Sequence, residues 1–236
     1  MAGTGDRSTH TNRTTNTNRT TNTNRNTKEC IMTGRIIIDL FTTLDGVAQA
    51  PGGPEEDTSD GFRFGGWQAT LPSEAVMRSV TAGMDTLDAL ILGRRTYDIF
   101  AGYWPEHTTG PEGFIGQLFD RVPKYVASRD AGIELGWQGS TRIGADLPAE
   151  IAAMREQHQD VHVIGSVDFV QTLLSEQLYD ELQLWVYPIV LGQGKKVFPD
   201  GVRPANLRLV HAESGDGGTL LLRYAPLPGE PTTGTM

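Results

Sequence analysis

The sequence predicts an α/β protein, with a mixed, mostly parallel central sheet flanked by helices and closed by antiparallel C-terminal strands. Three observations predict it. Short apolar runs of strand length alternate with segments of helical spacing between Arg35 and Gln177. Two of those runs end in glycine followed by polar residues where a helix begins, at Gly93-Arg94 and at Gly165-Ser166. After Asp180 the helical spacing stops, and strands separated by turn residues take over. The first pattern implies parallel strands joined by helical crossovers, and the last implies antiparallel pairing.

Bulk properties narrow the function. Of 236 residues, 38% are hydrophobic and 21% charged, which suits a globular protein diluted by a polar tail. No run reaches the roughly 18–20 apolar residues of a membrane span, and the start lacks the apolar core of a signal peptide. A cytoplasmic location is the default expectation. The lone Cys30 excludes an internal disulfide and a cysteine-based metal site, so no metal is expected. A net charge of −9 argues against general nucleic-acid binding.

Residues 1–33 read as a disordered Thr/Asn/Arg low-complexity tail, with three near copies of a six-residue unit over 11–28 and nothing apolar in them to offset ordering entropy. Met32 is an alternative start. The tail to Glu29 carries five basic and two acidic residues, so the remainder is near −12. The folded domain is expected over 34–226, with 227–236 frayed.

Arg35–Thr43 (RIIIDLFTT) reads as a core strand, with Asp39 inside it either a proton source or a residue facing water at a sheet edge. From Leu44-Asp45-Gly46 to Gly66 the chain is rich in glycine and proline and carries the acidic patch Glu55-Glu56-Asp57. A connection of that length is usually a lid or binding loop. Trp67 closes it, either walling a pocket or anchoring the loop. Pro72-Ser73-Glu74 opens a helix with Ala75, Val76, Val80 and Met84 on one side.

Leu87–Leu92 is a strand buried on both faces. Gly93 lets the backbone turn and a ligand approach, and Arg94, Arg95 and Thr96 open a helix. Unpaired N–H groups, the positive dipole end and two guanidinium forks suit a phosphate there. Ala101–Gly116 reads as a loop, with a short helix at Phe114–Phe119. The strand Lys124–Ala127 ends in Ser128-Arg129-Asp130. A helix spans Leu147–His158, a strand Val161–Ile164 ends in Gly165-Ser166, and a helix covers Phe169–Gln177. Asp180–Leu191 is a strand leading to Gly192-Gln193-Gly194-Lys195-Lys196, and Leu207–Ala212 and Thr219–Tyr224 complete the sheet. The glycine-lysine loop lacks the upstream glycine and following hydroxyl residue of a phosphate-binding loop.

Leu44-Asp45-Gly46, Leu92–Tyr97, Val163–Ser166 and above all Pro188–Phe198 (PIVLGQGKKVF), in this order, resemble the dihydrofolate-reductase-like superfamily. The closer match is to the reductase domain of the bifunctional riboflavin-biosynthesis deaminase-reductase, over roughly Arg35 to Tyr224. The resemblance implies NADPH as cofactor and hydride transfer to a small heterocyclic or carbonyl substrate, in the manner of a 5-amino-6-(5-phosphoribosylamino)uracil reductase. A non-catalytic nucleotide-binding protein and a dihydrofolate reductase are the alternatives. It implies cofactor contacts from Gly93, Arg94, Arg95 and Thr96, from Ser128 and Arg129 at the 2′-phosphate, and from Gly165 and Ser166 at the diphosphate. Val167 departs from the pattern, because relatives commonly have glycine there, and a side chain would stand against the cofactor. Leu71-Pro72-Ser73-Glu74 looks like the start of the helix that carries the acidic residue of dihydrofolate reductases. In a pocket that carboxylate would have a raised pKa and orient or protonate the substrate, and otherwise Glu74 only complements the helix dipole. Asp45 is a further proton-source candidate or a turn former, and Lys195 and Lys196 either meet an anionic substrate or are solvated. A homodimer is implied by analogy.

Overall fold

The polypeptide, described by a computed structural model over residues 33–235, builds its sheet from the runs just identified. The low-complexity tail lies outside the described residues except for Thr33. The strands are β1 (Arg35–Thr43), β2 (Ala89–Gly93), β3 (Lys124–Ala127), β4 (Ser140–Ile143), β5 (Asp160–Gly165), β6 (Glu181–Tyr187), β7 (Asn206–Ser214) and β8 (Leu220–Leu227). They form one sheet in the order β4-β3-β2-β5-β1-β6-β8-β7. Pairs from β4 through to β6 are parallel, while β8 runs antiparallel to both β6 and β7. The mixed, mostly parallel sheet with antiparallel C-terminal strands is thus present.

Five α-helices cover it: α1 (Glu74–Met84), α2 (Arg94–Tyr103), α3 (Gly113–Arg121), α4 (Leu147–Gln157) and α5 (Val167–Glu176). Alternation along β1 sends Ile36, Ile38 and Leu40 to a core shared with Ile151 and Met154 of α4 and Val170 and Leu173 of α5. The opposite face is covered by α2 and α3 through Tyr97, Leu118 and Phe119 packed with Leu90, Leu92 and Val126. There Val76 of α1 joins Trp185 and Tyr187 of β6. No helix of the described residues is long and apolar enough to cross a membrane.

Four local expectations change. Asp39 does not sit at an edge: β1 lies between β5 and β6, and Asp39 is buried. The segment 101–116 is more ordered than a loop, since α2 runs to Tyr103, a 3-10 turn covers Trp104–Glu106 and α3 starts at Gly113. The strand predicted to Leu191 stops at Tyr187, because Pro188 has no N–H to donate and Ile189 N turns back onto Tyr187 O at 2.8 Å. At the C-terminus, Leu227 still pairs with Asn206 inside β8, so the strand outlasts the expected fraying point by one residue.

Candidate active site

Two helices start where β2 and β5 end side by side, with Leu92 opposite Gly165. β2 leads into α2 on one face of the sheet, and β5 leads through Ser166 into α5 on the other. Neighbouring parallel strands whose helices leave in opposite directions create a crevice beyond their carboxyl ends, the usual ligand position in open α/β sheets.

The glycines here serve the chain's own packing. Gly93 has φ −64°, an ordinary value, so the turn itself does not demand glycine. A Cβ on it would lie 2.3 Å from Ser166 Oγ and 2.7 Å from Ser166 N. Gly165 has φ +144°, and a Cβ there would stand 2.8 Å from Thr96 Oγ1. Each glycine therefore admits the first residues of the other helix, and close packing rather than the turn is what requires glycine at 93.

The amino ends of α2 and α5 differ from those of α1 and α4. Ser73 and Asp146 cap α1 and α4 by accepting from Val76 N and Ala149 N. Neither Gly93 nor Ser166 caps its helix through a side chain. Two positive dipole ends thus meet at one crevice with first-turn N–H groups available to an anion.

The arginines divide their roles. Arg94 Nε donates to Asp98 Oδ1 at 2.8 Å, along the outer face of α2. Arg95 turns toward the long loop, donating to Asp57 and, at 2.8 Å, to Ser59 Oγ. Lys195 is largely shielded, with its Nζ 3.1 Å from Asp57 Oδ2 and 3.7 Å from Asp168 Oδ2 at the start of α5. Asp57 therefore gathers two cations beside the crevice. Burial works against its charge, but hydrogen bonds from Ser59 and Lys195 and the lysine's charge prevail and bring its pKa down to about 2.

The loop from 44 to 67 is folded onto a core of its own, with Val47, Ala50, Phe62 and Trp67 buried. The segment after the second glycine-rich stretch straps it down: Ala48 N donates to Lys195 O, Val197 N to Gly46 O and Lys195 N to Gln49 Oε1, each at 2.9 Å. Trp67 is 4% exposed, donates Nε1–H to Gln49 O at 2.9 Å and meets Tyr187 edge-on, so it anchors the loop. Lys196 is exposed and takes part through its backbone, which bridges to Val47 and accepts from Gln171 Nε2.

The expected acids are placed differently from one another. Glu74 is not enclosed: its side chain is 90% exposed and 3.7 Å from Arg78, one turn on. Asp216 explains why it is not needed as a cap, since its carboxylate accepts from Glu74 N, Ala75 N and Ser73 Oγ. Asp45 accepts from Thr43 Oγ1 at 2.6 Å and from Gly192 N at 2.8 Å. Burial opposes its charge, yet these donors and Leu191 N hold its pKa below the usual value, so it pins the glycine loop as an anion. Asp39 accepts from Gln183 Nε2 at 3.1 Å and lies 2.5 Å from His162 Nδ1, inside the sheet.

Ser128 and Arg129 follow directly on β3, one strand along from Gly93, at the same end of the sheet. Ser128 Oγ accepts from Asp130 N at 3.1 Å, a turn-forming bond that leaves its O–H free to donate. Among the described residues no ion pair engages Arg129. Val167, expected to crowd a cofactor, packs into the core beneath α5. Of the polar residues around the two cations only Asp57 carries a local signal, as part of the acidic patch at 55–57; nothing in the sequence near Ser59, Gln49 or Asp168 marks them.

A mixed eight-stranded sheet with uncapped helix ends meeting beyond two central parallel strands defines a dihydrofolate-reductase-like α/β protein. Residues 34–221 match the RibD C-terminal domain, and the chain belongs to that family. It is 26% identical over 192 residues to the uncharacterized protein YyaP of Bacillus subtilis (strain 168), covering 80% of this chain and 94% of that one. Among solved structures, a pyrimidine reductase-like protein from Corynebacterium diphtheriae superposes with a TM-score of 0.57 at 13% identity, over 83% of this chain and 93% of the other. Dihydrofolate reductase from Enterococcus faecalis, complexed with NADP(H), gives 0.51 at 14% identity, over 83% and 98%.

Proposed function

We propose that the chain is an NADPH-dependent reductase of a small heterocyclic or carbonyl substrate, with the 5-amino-6-(5-phosphoribosylamino)uracil class of riboflavin biosynthesis as the first to try. One observation carries this reading: two uncapped helix N-termini converge on a crevice flanked by Arg95 and Lys195, with Arg129 one strand over. The residues fit a dinucleotide phosphate. The amides opening α2 and α5 would hold the diphosphate, while Ser128 O–H and Arg129 would take the 2′-phosphate, favouring NADPH over NADH.

When bound, the cofactor supplies a hydride from its nicotinamide ring. The chain supplies orientation and exclusion of water. Glycine-sized spacing at Gly93 and Gly165 locks the two helix ends together, and the strapped loops over 44–67 and 188–197 wall the crevice. Asp57 stands in for an anion on Arg95 and Lys195, so a bound phosphate would exchange with its carboxylate.

A second reading, nucleotide binding without turnover, is favoured by the exposure of Glu74 and the ionised state of Asp45, which remove two expected proton sources. Calorimetric titration with NADPH and NADH, followed by absorbance assays against pyrimidine and carbonyl acceptors, separates the two. Micromolar NADPH binding, weaker NADH binding and acceptor-dependent oxidation support the reductase. Binding without oxidation of NADPH by any acceptor supports the second reading. No nucleotide binding sinks both.

A further inference from the structure

On the α1 side of the sheet, toward the amino ends of the parallel strands, a cleft of about 470 Å³ opens between α1 and the strands β5, β1, β6, β8 and β7. That volume suits a metabolite. Two buried polar atoms of its lining residues have no partner within the described protein: His162 Nε2 and Arg223 Nε. Buried polar groups are nearly always paired, so two in one cleft require an explanation.

His162 is 5% exposed, and its other nitrogen is fixed by Asp39, itself held by Gln183. The ring lies beneath Gly83 of α1, where an added Cβ would stand 3.8 Å from Cε1. Rotation cannot satisfy Nε2 without breaking the Asp39 bond. Arg223 approaches Glu181 only at 3.6 Å through a terminal nitrogen, leaving Nε–H unused. Arg35 and Arg78 also line the cleft, Arg35 held by Asp160 and Arg78 3.7 Å from Glu74, and Glu181, His211 and Glu213 complete its charged lining.

We propose that this cleft binds a small oxyanion-bearing metabolite, whose carboxylate or phosphate group accepts from His162 Nε2–H and Arg223 Nε–H. The donor state of the imidazole has independent support. Burial disfavours the charged ring, but the charge and hydrogen bond of Asp39 outweigh it and raise the His162 pKa. The site is separate from the helix-end crevice, because His162 precedes Gly165 by three residues along β5, roughly 10 Å at strand rise.

The test uses the full chain labelled with 15N and long-range imidazole spectra, titrated with inorganic phosphate and separately with succinate. The expected result is a saturable shift of His162 Nε2 with at least one probe, at least fivefold weaker in Arg223→Gln and unchanged in Arg95→Ala. A response to phosphate alone assigns a phosphate ester, and a response to succinate alone assigns a carboxylate. An unmoved Nε2 with both probes overturns the proposal, as does an equal response in Arg223→Gln. Sedimentation showing a dimer that Arg78→Glu dissociates, with Nε2 silent to both probes, would assign the cleft to a second copy and also overturn it. Failure of NADPH to bind bears only on the crevice.

Discussion

Lys195 Nζ lies 3.1 Å from the carboxylate of Asp57, which also accepts from Arg95, so one loop acid occupies both cations beside the helix-end crevice. Replacing Asp57 with Asn removes the internal competitor. NADPH affinity measured by calorimetry should rise about fivefold, since the carboxylate no longer has to yield. Arg95→Ala should weaken binding about tenfold or more, the expected loss of a charge-assisted bond to phosphate. Equal affinity in all three proteins would remove this pair from the site.

The same carboxylate makes the loop acid-sensitive. Its folded pKa, about 2, lies below the ordinary value of 3.8, so its contribution is present above pH 3.8 and lost as pH falls through 2. Acid unfolding of wild type and Asp57→Asn followed by tryptophan fluorescence should converge across that window.

Gly93→Ala should be severe. The new methyl group would meet Ser166 Oγ at 2.3 Å and Ser166 N at 2.7 Å, and the backbone atom cannot rotate away. Overpacking of this kind costs about 1–3 kcal/mol or more. Urea denaturation reads the loss, and nucleotide titration of the folded fraction should show weakened binding because α2 and α5 separate.

The buried pair of Asp39 and His162 predicts a second pH effect with the opposite sign. The folded His162 pKa is raised, so its stabilisation is complete below its unfolded value near 6.5 and is lost as pH rises through the folded value. Asp39→Asn should cost about 3 kcal/mol at pH 6 by leaving a buried imidazolium unpaired, and should reverse the dependence, because burial then lowers the His162 pKa. Chemical denaturation at pH 6 and pH 9 checks both.

Lys124 is 0% exposed and is held by the carbonyls of Phe119 and Asp120 and the face of Trp137. Burial pulls its pKa down to about 8, against a weaker opposing effect of Asp120. Between about pH 8 and 10.5 the unfolded chain binds more protons, so wild-type stability should gain relative to Lys124→Met as pH rises. At pH 7 the methionine variant should be nearly as stable or more so, by up to about 2 kcal/mol. Thermal unfolding of both across that range reads the difference; a constant gap would contradict the lowered pKa.

The strand-and-helix alternation, the two glycine junctions and the superfamily are legible from the residues alone, because those signals are local: periodicity, punctuation and ordered motifs. The same signals place Arg95, Ser128 and Gly165 where strands β2, β3 and β5 hand over to the following segments. Local signals fail where the environment is supplied from elsewhere. β4 is four mostly polar residues and becomes a strand only by pairing with β3. Glu74 sits at the expected helix start, yet whether it meets a pocket or solvent depends on the β7–β8 turn bringing Asp216 to that helix. Asp39 reads equally as a proton source or an edge residue, because nothing near it in sequence reveals that His162, 123 positions away, is its partner. Asp57 reaches Arg95 over 38 residues and Lys195 over 138. Charge pairing and burial are relations between distant segments, so only the tertiary structure decides which acids are held ionised, which cations are occupied and which donors are left without partners.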